Sequence, residues 1–295
     1  MRKMAVVSTG FFDGVHIGHR HVISALVAEA RRRGEEATVV SFWPHPRNVL
    51  QDEARNLRLL TSLDEKKQLL TSLGVDNIHI VRFTREFSRM TTREYLSGVV
   101  RDTCGGSAVL IGYDNRIGSD LLDAEGIKKA AEEVGLDTIV TDCLSSGTVA
   151  VSSTKIREAL AAGEVERASS MLGYRYSLHG VVVAGNKLGR TIGFPTANMQ
   201  LYEPLKLIPA NGVYEVEVET LDRRLKGMCN VGVRPTVGSG NARTVETNIF
   251  GFDEDIYGLD IRIKFVRKIR DEVSFPSLEA LKAQLVKDRI AAGGV

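Results

Sequence analysis

The feature that most restricts what this chain can become is a change of texture near residue 163. From Met1 to about Gly163, short β-branched runs alternate with longer amphipathic segments; beyond it, strand-like runs follow one another with only Gly, Pro and Asn turns between them. The first pattern predicts parallel strands joined by crossover helices, because the chain must return to the same end of the sheet before a parallel neighbour can start. Candidate strands are Met4 to Thr9, Ala37 to Phe42, Asn77 to Arg82, Ala108 to Gly112 and Thr138 to Cys143. Between the first two, Val22, Leu26 and Ala30 recur at helical spacing, and Ser62 to Glu65 and Thr91 to Glu94 are capping boxes that open two more helices. Open α/β sheets bind ligands beyond the carboxyl ends of their strands. Residues just after Thr9, Phe42, Gly112 and Cys143 are therefore expected to line one crevice.

A short helical stretch from Glu164 to Leu172 leads to Ser177, where the second texture begins, so the domains are drawn as 1–163, a linker helix at 164–176, and 177–295. Strands are predicted at Leu178 to Ala184, Val213 to Glu219, Leu225 to Val231, Thr244 to Phe250 and Leu259 to Val266, which favours an antiparallel barrel or sandwich. A final helix follows Pro276, with Leu278, Leu281 and Leu285 on the face expected to pack back on those strands.

At 295 residues, 43% apolar and 26% charged, the chain can bury two cores of its own. Cys104, Cys143 and Cys229 are odd in number, far apart and in no C-x-x-C pair, which fits a reducing compartment better than a disulfide framework. A net charge of +2 argues against broad nucleic-acid or anionic-membrane binding. The apolar segment near Met1 is too short for an export signal or a membrane span, so a soluble, cytoplasmic protein is expected.

Two motif sets carry chemistry. The first, Thr9-Gly10-Phe11-Phe12-Asp13-Gly14-Val15-His16-Ile17-Gly18-His19, leaves the first strand and enters the first helix. His16 and His19 thus fall near a helix N-terminus, where backbone N–H groups already favour anions, and Gly14 and Gly18 let a nucleotide phosphate approach the backbone. That arrangement suits stabilising charge on phosphorus better than nucleophilic attack. Farther along, Val151-Ser152-Ser153-Thr154-Lys155-Ile156-Arg157 offers hydroxyls and cations for phosphate at Ser153, Thr154 and Arg157.

The second set is Gly185-Asn186-Lys187-Leu188-Gly189-Arg190-Thr191-Ile192-Gly193-Phe194-Pro195-Thr196-Ala197-Asn198. Gly185, Gly189 and Gly193, with Lys187 and Arg190 between them, can wrap backbone N–H groups around a polyphosphate, and Thr196 and Asn198 are hard oxygen ligands for Mg²⁺. The loop from Gly185 to Gly193 is the candidate to close on substrate.

These residues resemble known families. H-x-G-H with S-S-T-x-x-R is similar to the nucleotidyltransferase superfamily, and the fuller F-D-G-V-H-x-G-H narrows the likeness to FAD synthetase modules. Phe42-Trp43-Pro44-His45-Pro46 and Gly112 to Gly118 resemble two further segments of that module, with Trp43 in place of an acid and Asn115 and Ile117 in place of two aromatic residues. G-R-x-I-G-F-P-T-A-N resembles the riboflavin kinase signature, and the segments at Asn211, Asn230 and Thr244 follow in that module's order. Together they cover essentially the whole chain, which resembles the bacterial bifunctional riboflavin kinase and FAD synthetase family. The resemblance implies a Rossmann-like N-terminal domain, a riboflavin-kinase-type β-barrel, and conversion of riboflavin to FMN and of FMN to FAD with ATP and Mg²⁺. It assigns Glu246 as the kinase base, although the residues alone do not choose it over Asp253, Glu254 or Asp255. It also makes Asp114 a contact to nucleotide or flavin.

Overall fold

The computed structural model describes residues 3–50, 57–112, 117–141, 151–185, 188–236 and 240–294. Contacts divide the chain into two compact units, Met1–Ser152 and Ser153–Val295. Among the described residues of the first unit are five parallel strands: β1 (Ala5–Thr9), β2 (Glu36–Trp43), β3 (Asn77–Arg82), β4 (Gly106–Gly112) and β5 (Asp137–Thr141). Their order is β3-β2-β1-β4-β5. Successive side chains of a strand point to opposite faces. Accordingly Val7, Val109 and Ile111 pack with Tyr95, Leu96 and Ile127 on one side, while Val6, Ala108 and Leu110 pack with Ile23, Leu26 and Leu70 on the other. With both faces covered, β1 is buried from end to end, which is why it reads as a continuous run rather than an alternating one. The strand order reverses at β1, so the connections after β1 and β4 diverge and leave a crevice.

The helix α1 (Ile17–Arg33) is opened by His16 and closed by Gly34 in the left-handed conformation, with Arg31, Arg32 and Arg33 in its last turn opposing the helix dipole. Its deepest residues are Ile23, Leu26 and Ala30, one position away from the expected Val22, which is partly buried. After α2 (Pro46–Leu50), both capping boxes form as predicted: Ser62 with Glu65 at the start of α3 (Leu63–Ser72), and Thr91 with Glu94 at the start of α4 (Thr92–Tyr95). A wider, π-type stretch (Leu96–Thr103) continues α4, and α5 (Ala124–Glu133) precedes β5.

In the second unit α6 (Ser153–Ala161) and α7 (Val165–Leu172) pack on one another ahead of the strands. The texture change near Gly163 therefore falls between two helices of one unit. β6 (Ser177–Val183), β7 (Ala197–Leu201), β8 (Gly212–Thr220), β9 (Arg223–Thr236), β10 (Gly240–Ile249) and β11 (Asp260–Arg270) close into an antiparallel barrel in the order β10-β7-β6-β11-β8-β9. Closure decides between barrel and sandwich, since β10 bonds to both β7 and β9. The sequence did not predict β7: Ala197 to Leu201 contains no β-branched or aromatic residue, and it is a strand because β6 and β10 pair with it.

After α8 (Leu188–Thr191), the last helix is α9 (Leu278–Ala291). Leu285 joins the Phe194, Val213 and Met228 cluster as expected, but Leu278 is 49% exposed and Leu281 half-buried. The helix is held instead by Asp288, 1% exposed, whose carboxylate accepts from Arg270 Nη2 at 2.7 Å and from its Nε at 3.0 Å. Among the described residues, no helix is long and apolar enough to cross a membrane.

Candidate functional sites

Beyond β1 the backbone turns sharply, with positive φ at Phe12, Gly14 and Val15. Gly14, at φ 79°, takes that conformation at no steric cost. Asp13 fixes the turn: its buried carboxylate accepts from the Leu60 and Thr61 N–H groups, each at 3.1 Å, and from the Thr61 hydroxyl at 3.2 Å. The Gly14 N–H donates to Thr61 Oγ1 at 3.1 Å, so its part in the turn is structural as well as permissive.

This clamp delivers His16 and His19 stacked, their ring centroids 3.6 Å apart and nearly parallel at 16°. His16 Nδ1 accepts from the His19 N–H at 3.3 Å, which leaves Nε2 as the protonated, donating nitrogen of a neutral ring. Burial pushes His16 down to about 4, against a weaker opposing pull from Asp13. Burial also pushes His19 well below its usual value, helped by His16 and by Lys66. Both are uncharged at neutral pH, and each presents an N–H rather than a cation. Among the described residues, His19 Nδ1 is enclosed without a protein partner. Gly18 leaves room for the stack: a Cβ there would stand 3.2 Å from His16 Cε1 and 3.3 Å from its Nδ1 and would press on that ring.

Ser153, Thr154 and Arg157 lie on the opening turns of α6, as the first residues of the second unit. Asp114, Asn115 and Lys187 lie outside the described residues. Trp43 ends β2, and Ile117, 6% exposed, packs in the core with Tyr95 and Leu96. One residue near the histidines was missed from sequence. Lys66 is fully buried on α3, with Nζ 3.6 Å from the centroid of the Phe11 ring and 3.4 Å from Ser41 Oγ. Its signal was the spacing Leu63, Lys66, Leu70, which sets a cation in the apolar stripe of a helix.

In the barrel, strand register assembles the second site. Glu246 on β10 stands directly opposite Asn198 on β7 and Asn230 on β9. Opposed residues project to the same face with Cβ atoms about 4.5–5.5 Å apart, so the three half-buried side chains form a row across three strands. Asn230 was quoted within a motif but not singled out; the pairing identifies it. The Asn198 amide lies against the backbone of Gly185, where any Cβ would collide with it. Gly189 lies within α8 and Gly193 follows it; the Gly189 carbonyl accepts from the Phe194 N–H at 2.8 Å, and Gly193 takes φ 84°. Asn248 Nδ2 donates to the Pro195 carbonyl at 2.7 Å, pinning the residue before Thr196. Arg190, Thr196, Phe252, Asp253 and Tyr257 are among the walls of a cavity of about 470 Å³, to which β7 and β10 contribute Ala197 and Thr247, the opposed pair next to Asn198 and Glu246. In the first unit His16, Gly18 and His19 thus come together at the start of α1, and in the barrel Asn198 and Glu246 stand side by side while Arg190 and Thr196 line the cavity.

Comparison with known proteins agrees with both halves. The family model for FAD synthetase matches residues 1–155 and that for riboflavin kinase matches 172–294. The bifunctional riboflavin kinase/FMN adenylyltransferase of Escherichia coli strain K12 is 38% identical over 292 residues, 97% of this chain and 91% of that protein. Those of Listeria monocytogenes and Bacillus subtilis are 36% and 33% identical, over 96% and 97% of this chain and 90% of each relative. A crystal structure from Streptococcus pneumoniae, described as a macrolide-efflux protein, matches 100% of this chain and 95% of its own with a TM-score of 0.92 and 30% identity. With both modules matched in order and the relatives aligned almost end to end, this chain belongs to the bifunctional riboflavin kinase/FMN adenylyltransferase family.

Proposed function

We propose that the Asn198, Glu246 and Thr196 group is the phosphoryl-transfer site and the His16/His19 turn the adenylyl-transfer site of this enzyme. The protein is a bifunctional transferase: riboflavin + ATP gives FMN + ADP, and FMN + ATP gives FAD + pyrophosphate. In the first reaction Glu246 takes the proton of the ribityl hydroxyl as its oxygen attacks the γ-phosphorus and ADP leaves. The observation that carries this assignment is the register of β7 with β10, which sets a carboxylate and an amide oxygen side by side across two neighbouring strands.

Thr196 Oγ1 and Asn198 Oδ1 are hard oxygen donors of the kind Mg²⁺ prefers, few enough that substrate phosphates would complete the shell. Bound there, Mg²⁺ would offset the charge on the phosphate oxygens. The glycine-rich segment around Lys187, Arg190 and α8 would cover the triphosphate.

In the second reaction an FMN phosphate oxygen attacks the α-phosphorus of ATP, the bond to the bridging oxygen breaks, and pyrophosphate departs. His16 and His19 donate N–H groups to the phosphates beside the N-terminus of α1. The nucleophile is already an anion, so positioning and electrostatics suffice without a covalent intermediate. A cytoplasmic setting is proposed on the free thiols Cys104 and Cys229.

The test of the kinase assignment is Glu246→Gln in the full chain. Loss of a general base predicts a fall of about 10²- to 10⁴-fold in FMN formation, with FAD formation from supplied FMN unchanged. Near-normal FMN formation would remove Glu246 from the mechanism.

A further inference from the structure

Lys66 has a setting that packing alone does not explain. Its side chain is fully buried, and enclosing an ammonium costs several kcal/mol unless other groups compensate. No carboxylate lies within ion-pair distance among the described residues; the ammonium has one long hydrogen bond, to Ser41 Oγ, and the face of Phe11. The nearby acid, Asp13, has its oxygens turned to Leu60 and Thr61. Asp13 offsets this charge in part, less than burial opposes it, beneath the turn that leads to His16 and His19, where a polyphosphate would bring further negative charge.

The contacts around it are those that shape the site. Phe11 follows β1 directly, and its ring is gripped by Lys66 on one side and by His45 edge-on at 3.9 Å. Ser41 on β2 donates to the Phe11 carbonyl at 3.2 Å while receiving Lys66. Phe12 in turn packs edge-on to His19 at 5.3 Å. Lys66 therefore supports, through Phe11 and Ser41, the residues that seat the histidine stack.

We propose that Lys66 is a positioning residue of adenylyl transfer: its buried ammonium props the Phe11–Phe12 turn, keeps His19 an uncharged N–H donor, and supplies fixed positive potential for the ATP phosphates. This rests on the assignment of adenylyl transfer to His16 and His19. The other titratable groups facing this space are Asp13 on the turn, His16 and His19 on α1, and His45 after β2; Glu65, adjacent on α3, turns away to cap Ser62. Burial lowers Lys66 to about 8, so its charge is present at neutral pH and is lost as the pH rises through that value.

The experiment uses full-length protein, Lys66→Met and Lys66→Arg, assayed for FAD from FMN and ATP with Mg²⁺ between pH ~5.5 and ~9.5. FMN formation from riboflavin serves as the internal control, and emission of Trp43, the sole tryptophan, reports the fold of the first unit. Lys66→Met is expected to lower kcat for FAD formation about 10- to 100-fold with the KM for FMN little changed, and to move the acid limb upward because His19 loses a cationic neighbour. Wild-type FAD formation should decline above about pH 8, and Lys66→Arg, which cannot deprotonate there, should restore the rate and remove that decline. Wild-type rate and profile in Lys66→Met would overturn the proposal, as would equal losses in Met and Arg variants with no alkaline decline in the wild type. If Lys66→Met alters Trp43 emission, the comparison of wild type with Lys66→Arg decides alone. His16→Ala and His19→Ala separate the two levels: full FAD formation in both would refute the site itself, whereas their failure beside an unaffected Lys66→Met would refute only the role of Lys66.

Discussion

At the scale of single residues, the histidine pair shows how burial converts a familiar motif into a particular chemical state. An exposed imidazole would be half protonated near pH 6.5, but His16 is held down to about 4, so it remains a neutral donor throughout the physiological range. The sign of the linkage follows: the unfolded chain binds a proton at His16 as the pH falls below about 6.5, while the folded chain resists until about 4, so stability is lost across that interval. FAD formation, read as kcat/KM from pH 8 downward, should therefore show no loss centred on pH 6.5 and should fall only at lower pH. A limb at pH 6.5 would mean that the stack opens in solution. The motif itself was legible because H-x-G-H depends on local spacing. Lys66 was not, since the sequence shows a lysine in an apolar stripe but not the aromatic ring and hydroxyl that enclose it.

At the scale of elements, local rules predicted local features and failed where pairing partners decided. The capping boxes at Ser62 and Thr91 need only four consecutive residues, and both form. β7 depends on two neighbours contributed from distant parts of the chain, and no propensity in Ala197 to Leu201 announces it. The same held for α9, whose leucines suggested an apolar seam although its deepest anchor is the Arg270–Asp288 pair. The Arg270 guanidinium reaches Asp288 eighteen residues away and gives its chain neighbour Asp271 only a backbone-carbonyl contact. Removing one member of a buried pair strands the other, so Asp288→Ala should destabilise the second unit by about 3–5 kcal/mol in denaturant unfolding. A change under about 1 kcal/mol would place the pair among the solvent-screened ion pairs.

For the whole molecule, the change of texture near Gly163 foretold two architectures, a parallel sheet and an antiparallel barrel, because hydrophobic periodicity and connection length are properties of long stretches. Each architecture then places its chemistry by its own rule. In the sheet, the reversal of strand order at β1 leaves a crevice beyond the strand that leads into the turn before His16 and His19. In the barrel, antiparallel register aligns Asn198, Glu246 and Asn230 across three strands. One chain so equipped makes FMN in one unit and consumes it in the other. The most direct test is chromatography of the products formed when purified full-length protein is given riboflavin, ATP and Mg²⁺, and again when it is given FMN in place of riboflavin. FMN appearing first and FAD after it, with FAD alone from FMN, is the predicted result; FMN with no FAD in either reaction would contradict the assignment of adenylyl transfer to the His16/His19 site.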